Sequence, residues 1–315
     1  MECRILDIDG LRLSAHKAFG KDKLQDAGVK LSLNAGEIAI AVGLNGVGKT
    51  ELLAAAAGNV RSDGCISISG AKAGSPEAKR LVGYVPASES LYDELTCLEY
   101  LSAFAEIYGV ERHYRPYIIR EALASVHLEA LEDTLIGDIK DKYRRRCLCL
   151  ARALVHDPRL LVIDEVFEHV DNLELRSFTD ILNGIRCRGK ALLLSGRQLG
   201  CLSDLADQVC YLENGQPFLQ GRIADIADEL ANHHLFQLQY IIKPYVNGSV
   251  RLRFDRISED KRVISVRRNV QDSTLIRIMF RGETEDFNAW LAEMQSLGCQ
   301  IVSCWEDHAF FGHAV

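Results

Sequence analysis

No apolar run in this sequence reaches the roughly 18 residues that a helix needs to cross a bilayer. The longest candidates, around Ala39 and Leu160, are strand-length and end in Gly or Asp. The chain is therefore expected not to span a membrane itself. Its start, Met1-Glu2-Cys3-Arg4, lacks a basic segment followed by an apolar block, so no secretory signal is expected and a cytoplasmic location is the default. No Cys-x-x-Cys pair occurs among the ten cysteines. Most of them sit in apolar stretches such as Leu148-Cys149-Leu150 and Val209-Cys210-Tyr211, which reads as reduced core cysteine and not as a disulfide scaffold, metal site or redox centre. Basic residues are not in excess: the formal charge of −7 argues against a protein that wraps nucleic acid, and no nucleic-acid partner is expected. Two local basic clusters stand out, Lys140 to Arg146 and Arg251 to Arg268, and the first reads equally as a solvated helix start. There is neither an internal repeat nor a low-complexity tract.

What is present is the composition of a globular α/β protein, with 48% hydrophobic and 26% charged residues in a chain of 315. That length accommodates one large core or a core plus a smaller domain. Arg4 to Leu13 and Val29 to Leu33 alternate apolar and polar residues, as two antiparallel strands would. Ile38 to Val42 is continuously apolar, the pattern of a strand buried on both faces. A helix-favouring stretch, Leu52 to Ala57, closes on Gly58. From Tyr92 to about Asp138 apolar residues recur at helical spacing, which predicts a helical insertion. Helix over Arg145–Val155, strand over Leu160–Ile163, helix over Leu173–Ile185 and strand over Ala191–Ser195 then imply a parallel α/β sheet. Near His233 the pattern changes to three strands, an amphipathic helix over Glu283–Ser296 and a last strand from Gln300, a small α+β domain.

Two motifs carry chemistry. Gly43-Leu44-Asn45-Gly46-Val47-Gly48-Lys49-Thr50 fits G-x-x-x-x-G-K-[ST] and lies between a buried strand and a helix, the context that a phosphate-binding loop requires. Its glycines let successive backbone N–H groups turn toward phosphates, and the helix that follows adds the positive end of its dipole. Lys49 would meet the β- and γ-phosphates of ATP, and the Thr50 hydroxyl would bind Mg²⁺. The second motif, Leu160-Leu161-Val162-Ile163-Asp164-Glu165, delivers a carboxylate to the carboxyl edge of the sheet, where Asp164 would hold Mg²⁺ through water. Taken alone, an Asp-Glu pair after a strand also suits a helix N-cap. Glu165 is the candidate general base for the attacking water.

With these motifs the sequence resembles the nucleotide-binding subunits of ABC (ATP-binding cassette) transporters over most of its length. The resemblance implies a P-loop cassette over residues 1–230, with a parallel sheet core, an antiparallel β subdomain and a helical subdomain at about 90–150, followed by an accessory domain over 231–315. Phe19, in Phe19-Gly20-Lys21, resembles the family's adenine-stacking aromatic, although a core phenylalanine reads the same way. Tyr84-Val85-Pro86 resembles the entry to the helical subdomain, Leu150 to Pro158 the helix after the signature motif, and Asp171 the D-loop aspartate. The end, Trp305-Glu306-Asp307-His308-Ala309-Phe310-Phe311, is a looser version of the Glu-Asp/Glu-Val-Phe that closes the appended domain of ABC-2-type exporters. Implied partners are separate transmembrane permease subunits and a second ABC ATPase subunit. Implied cofactors are ATP and Mg²⁺.

Several positions depart from the family pattern. Its Q-loop glutamine is Ala87, its Leu-Ser-Gly-Gly-Gln signature falls on Lys140-Asp141-Lys142-Tyr143-Arg144, its switch histidine is Arg197, and the proline after Asp-Glu is Val166. In the family two cassettes face each other, each ATP lying between one phosphate loop and the other signature. Asp141 would then present a carboxylate to a γ-phosphate where the family has a serine donor, with Lys140, Lys142 and Arg144 offsetting the repulsion. Arg197, a permanent cation, would support binding but could not shuttle a proton. These departures point to a weakly hydrolytic cassette, in a heterodimer more readily than a homodimer. The alternative is a non-transport ABC-like regulatory or scaffold protein. A DNA-repair or translation ABC protein fits poorly with a single cassette and an acidic balance.

Overall fold

The computed structural model describes residues 4–13, 28–43, 46–167, 170–171, 174–196, 205–213, 215–225, 235–241, 257, 260, 262–268, 275–281, 284–296 and 300–306. They fall in two compact units, Met1–Ile223 and Ala224–Val315. In chain order the first unit runs β1 (Arg4–Arg12), β2 (Val29–Asn34), β3 (Ile38–Val42), α1 (Lys49–Ala56), β4 (Asp63–Ile68), β5 (Ala71–Lys72) and α2 (Pro76–Lys79). It continues with β6 (Val82–Val85), α3 (Cys97–Ile107), α4 (Arg115–Ala124), α5 (Lys142–Leu154), β7 (Leu160–Ile163), α6 (Glu174–Cys187), β8 (Ala191–Gly196), β9 (Gln208–Glu213) and β10 (Gln216–Arg222).

Six strands form the central sheet in the order β10-β9-β3-β8-β7-β6. Strands β9, β3, β8, β7 and β6 run parallel to their neighbours, and only β10 turns back antiparallel, through a hairpin. All five residues of β3 and all four of β7 are buried, as their unbroken apolar sequences require. The second sheet, β2-β1-β4-β5, is antiparallel. One core joins Leu6, Ile8, Leu31 and Leu33 of that sheet to Leu52, Leu53 and Ala56 of α1 and to Ala39, Ala41, Val162 and Leu193 of the parallel sheet. The small side chains Ala39 and Ala41 leave room for α1 beside the strand that feeds it. Helix α1 ends as its glycine predicts: Gly58 takes φ +72, and the N–H groups of Gly58 and Asn59 donate to Ala55 and Ala54 at 3.0 and 2.8 Å, a Schellman closure.

Between β6 and β7 the chain forms the helical subdomain. Helix α3 opens on a reciprocal capping box: Thr96 Oγ1 accepts from Glu99 N–H at 3.2 Å, and Glu99 Oε2 accepts from Thr96 N–H at 2.9 Å. Tyr100, Leu101, Ile119, Leu123 and Leu148 form its buried interior. Among the described cysteines Cys97, Cys147, Cys149 and Cys210 are buried, whereas Cys65 and Cys187 are exposed, which corrects the uniform core expectation for them.

The second unit is an antiparallel sheet ordered β12-β13-β11-β14, where β11 is Leu235–Ile241, β12 Val263–Arg268, β13 Leu275–Arg281 and β14 Gln300–Glu306, with helix α7 (Thr284–Ser296) between the last two. Phe280 of β13 meets Phe287 and Trp290 of α7 with ring centroids 5.5 and 5.3 Å apart. All three rings are buried and fix helix to sheet. Among the described residues no helix is long and apolar enough to cross a membrane.

Candidate functional site

Because β3, β8, β7 and β6 are parallel neighbours, their carboxyl ends share one edge of the sheet. That edge receives the loop after β3, Ser195 in β8, Asp164 and Glu165 after β7, and Pro86 and Ala87 after β6. The loop needs its glycines. Gly43, Gly46 and Gly48 have φ of +152, +79 and +101, and a Cβ on Gly43 would stand 2.4 Å from the Leu212 carbonyl oxygen and 2.9 Å from Val47 Cγ2. Gly48 is the N-cap of α1 and has no side chain to close the helix start, so no side-chain cap occupies the first-turn N–H groups. Leu44 and Asn45 lie outside the described residues, as do Phe19 and Arg197.

Lys49 is almost wholly buried, at 4% exposure. Its ammonium donates to Gly43 O at 2.7 Å and lies 3.3 Å from Glu165 Oε1. Thr50, the next residue, is exposed. Asp164 is completely buried. Its Oδ1 accepts from the Ser195 hydroxyl at 2.6 Å, while Oδ2 is buried with no hydrogen-bond partner among the described residues. Glu165 has φ +47, a left-handed turn that a non-glycine residue adopts only when its surroundings hold it there. Two groups do so. Ser195 Oγ accepts from Glu165 N–H at 2.7 Å. From the other side the buried guanidinium of Arg146 donates to the carbonyls of Asp164, Glu165 and Pro86. Tyr84 on β6 feels the same charges: burial, and then the Asp164 carboxylate, raise its phenol above the ordinary value while Arg146 opposes them.

The signature-position residues lie at the start of α5. Asp141 is exposed and is the N-cap of α5, with Oδ1 accepting from the N–H groups of Tyr143 and Arg144 at 2.9 and 3.4 Å and Oδ2 lying 3.3 Å from Arg144 Nε. The helix start attracts that carboxylate more strongly than open solvent does, because its orphan N–H groups and the Arg144 cation are both adjacent. Tyr143 packs on α6, its ring edge-on to Phe178 at 6.0 Å and its hydroxyl 3.3 Å from Ser177 Oγ, and burial pushes its phenol up to about 12. Lys140 donates to the Gly137 carbonyl. Asp171 and Glu174 form a reciprocal cap on α6, at 2.9 and 3.1 Å. Ala87 is half-buried after Pro86 and offers only a methyl group.

The family model described as ABC transporter matches residues 27–168. A protein named Nod factor export ATP-binding protein I from Burkholderia lata is 32% identical over 211 residues, covering 66% of this chain and 69% of that protein. The chain belongs to the ABC transporter ATP-binding family. Its namesake from Rhizobium sp. (strain N33) is 29% identical over 252 residues, covering 76% of this chain and 81% of its own. Among solved structures, one titled as the ATP binding subunit of an ABC transporter aligns with TM-score 0.61 and 25% identity over 72% of this chain and 93% of that chain. The cbiO1 protein of Clostridium perfringens, described as part of the ABC transporter complex cbiONQ, shares the fold at TM-score 0.62 and 20% identity.

As an ABC ATP-binding subunit the chain takes ATP with Mg²⁺ and works with transmembrane partner subunits. The site fits both ligands. A Cβ would fill the Gly43 cradle, Lys49 supplies a buried cation, and Asp164 Oδ2 is a buried acceptor with no hydrogen-bond partner among the described residues. Among the described residues no group of three or more His, Cys, Asp or Glu is clustered to hold a metal. A Mg²⁺ held mainly by phosphates and water would take Thr50 and Asp164 on the protein side. When bound, the ion would supply neutralisation of phosphate charge. Lys49 is placed where it would bind and orient those phosphates, and Glu165 where it would take the proton of an attacking water.

Sequence reasoning missed Arg146 and Ser195. Arg146 was hidden in a basic run, and its signal is position: it opens the buried stretch Arg146-Cys147-Leu148-Cys149. Ser195 is the one hydroxyl ending the apolar strand Ala191-Leu192-Leu193-Leu194.

Proposed function

We propose that this chain is the ATP-binding subunit of an exporter, sitting at the inner face of the cell membrane through separate membrane-spanning subunits and pairing with a second, non-identical ABC ATPase subunit. ATP binding at its own phosphate loop matters more than turnover by the chain alone. The observation that carries this reading is the capped Asp141. In the family each nucleotide is shared between one phosphate loop and the facing signature. Here the phosphate-loop side is assembled, with Lys49, Asp164 and Glu165 together, while the signature side offers an N-cap carboxylate tied to its own helix. In a homodimer both composite sites would have that defect. In a heterodimer an intact partner signature completes the site built on Lys49. The export direction is supported by the relatives named for Nod factor export. The unit Ala224–Val315 is the accessory domain of this subunit.

Purification of the tagged chain from its host tests the proposal. A polytopic membrane protein and a second ATPase are expected with it, the mixed pair hydrolysing ATP faster than this chain alone. Brisk Glu165-dependent turnover by the isolated chain, or a stable active complex free of membrane subunits, would overturn it.

A further inference from the structure

The turn that carries the two carboxylates is held by one side chain from the neighbouring strand. β8 lies between the phosphate-loop strand β3 and the acidic strand β7. Its register places Ser195 opposite Ala41 of β3, and Leu194 opposite Ile163, the last residue of β7. From that place Ser195 engages three consecutive residues. Its hydroxyl donates to Asp164 Oδ1 at 2.6 Å and accepts from Glu165 N–H at 2.7 Å, and its carbonyl accepts from Val166 N–H at 2.8 Å. Ser195 is completely buried, so water does not compete for these bonds.

We propose that Ser195 is a positioning residue for the metal-nucleotide site, fixing Asp164 with one carboxylate oxygen occupied and the other open, and holding Glu165 in its left-handed turn. This rests on the reading of Asp164 as the acceptor for the water of Mg²⁺. A carboxylate has two oxygens and rotates about its last bond; a hydroxyl hydrogen-bonded to one of them stops that rotation. Oδ2 is then the oxygen left to a ligand, in agreement with its lack of a partner among the described residues. The accepting role of the same hydroxyl supports φ +47 at Glu165, a backbone state that would otherwise relax and carry the Glu165 side chain away from Lys49. An apolar strand residue here would preserve the sheet and lose both effects. The parallel ladder on either side of β8 uses backbone groups alone.

The test measures ATP affinity of the full chain by calorimetry, in EDTA and in excess Mg²⁺, for the parent, Ser195→Ala, Ser195→Thr, Ser195→Cys and Asp164→Asn, with thermal denaturation of each. Ser195→Ala is expected to lose roughly tenfold or more of the gain in affinity that Mg²⁺ gives, the worth of a hydrogen bond to a charged group, while metal-free affinity is kept or raised, because Glu165 freed from its turn no longer restrains Lys49. Threonine keeps the hydroxyl and is expected to restore most of the gain. Cysteine is close in volume but a weak hydrogen-bond partner, so it is expected to behave like alanine and carries the test if the alanine variant does not fold. A full Mg²⁺ gain in the alanine and cysteine variants overturns the proposal, as does an equal loss with and without metal, or a threonine variant no better than alanine. Asp164→Asn separates the two levels. If it abolishes the gain while the alanine and cysteine variants keep it, only the role of Ser195 fails; if it leaves the gain intact, the metal reading of Asp164 fails with it.

Discussion

The ion pair between Lys49 and Glu165 makes nucleotide binding a competition inside the protein. The ammonium that must meet the phosphates lies 3.3 Å from Glu165 Oε1, with the two side chains 4% and 20% exposed. At that distance and an effective dielectric constant of about 20 the gross attraction is about 5 kcal/mol. Much of it is returned when the separated groups find other partners, so the net effect on binding is nearer the 1.5–3 kcal/mol typical of one charge-assisted hydrogen bond, roughly ten- to a hundredfold in affinity. Glu165→Gln keeps the shape and removes the charge, and the left-handed backbone makes the same demand on either residue. It is therefore expected to bind ATP more tightly than the parent by that factor, measured with a fluorescent ATP analogue in EDTA, so that no divalent ion draws on the carboxylate. Removing repulsion between the carboxylate and phosphates contributes to the same gain. Glu165→Asp separates the two effects, because it keeps the charge but is one methylene shorter and withdraws from Lys49; its affinity is expected to fall between parent and glutamine. Metal-free binding by Glu165→Gln that is equal to or weaker than the parent would show that the ion pair does not restrain Lys49.

Lys49→Ala removes the buried cation and is expected to lower ATP affinity more than a hundredfold by calorimetry, about 3 kcal/mol; binding at parental strength would refute the site assignment. Asp141→Ala removes the α5 cap and is expected to cost about 1 kcal/mol in denaturant unfolding, against much less for Asp141→Ser, whose hydroxyl also caps. An alanine variant as stable as the parent would contradict the capping geometry. His156 is stacked on Tyr108 at 3.7 Å, and burial pushes its imidazole down to about 4 from an ordinary 6.5. The folded state thus keeps His156 neutral where the unfolded chain takes a proton. The stability it contributes is complete above about pH 6.5 and is lost as pH falls toward 4, about 3 kcal/mol over that window. His156→Gln is expected to flatten stability between those limits relative to the parent, and an unchanged slope in parallel urea titrations would count against this assignment.

The parts of the site that are contiguous in the chain were legible before the fold was known. The phosphate loop declares itself because a buried strand, three glycines, a lysine and a helix start must follow one another without interruption, and the structure keeps that order from Ile38 to Ala56. The acidic strand declares itself for the same reason, since Leu160 to Ile163 can only be interior and Asp164 follows directly. Weaker elements did not. β4 exposes its first three residues, and β6 has only four, so neither shows a pattern long enough to separate it from a loop. The hairpin of β9 and β10 is likewise visible only once β9 is seen paired with β3.

The sequence by itself determined that this chain carries a phosphate-loop motif and a carboxylate at the end of an interior strand, because each is a local pattern that depends on neighbours in the chain. Tertiary structure alone decided how those groups are held. The strand order β3-β8-β7 inserts Ser195 beside Asp164, 31 residues away in the chain. The course of α5 brings Arg146 to three carbonyls at the ends of two strands. The orientation of Asp141 was also beyond the sequence, which places a carboxylate at the signature position but cannot say which donors it finds. Only the folded helix start, which brings the Tyr143 and Arg144 N–H groups together, makes it a cap. Convergence of distant residues depends on strand order and helix packing, which no window of sequence contains.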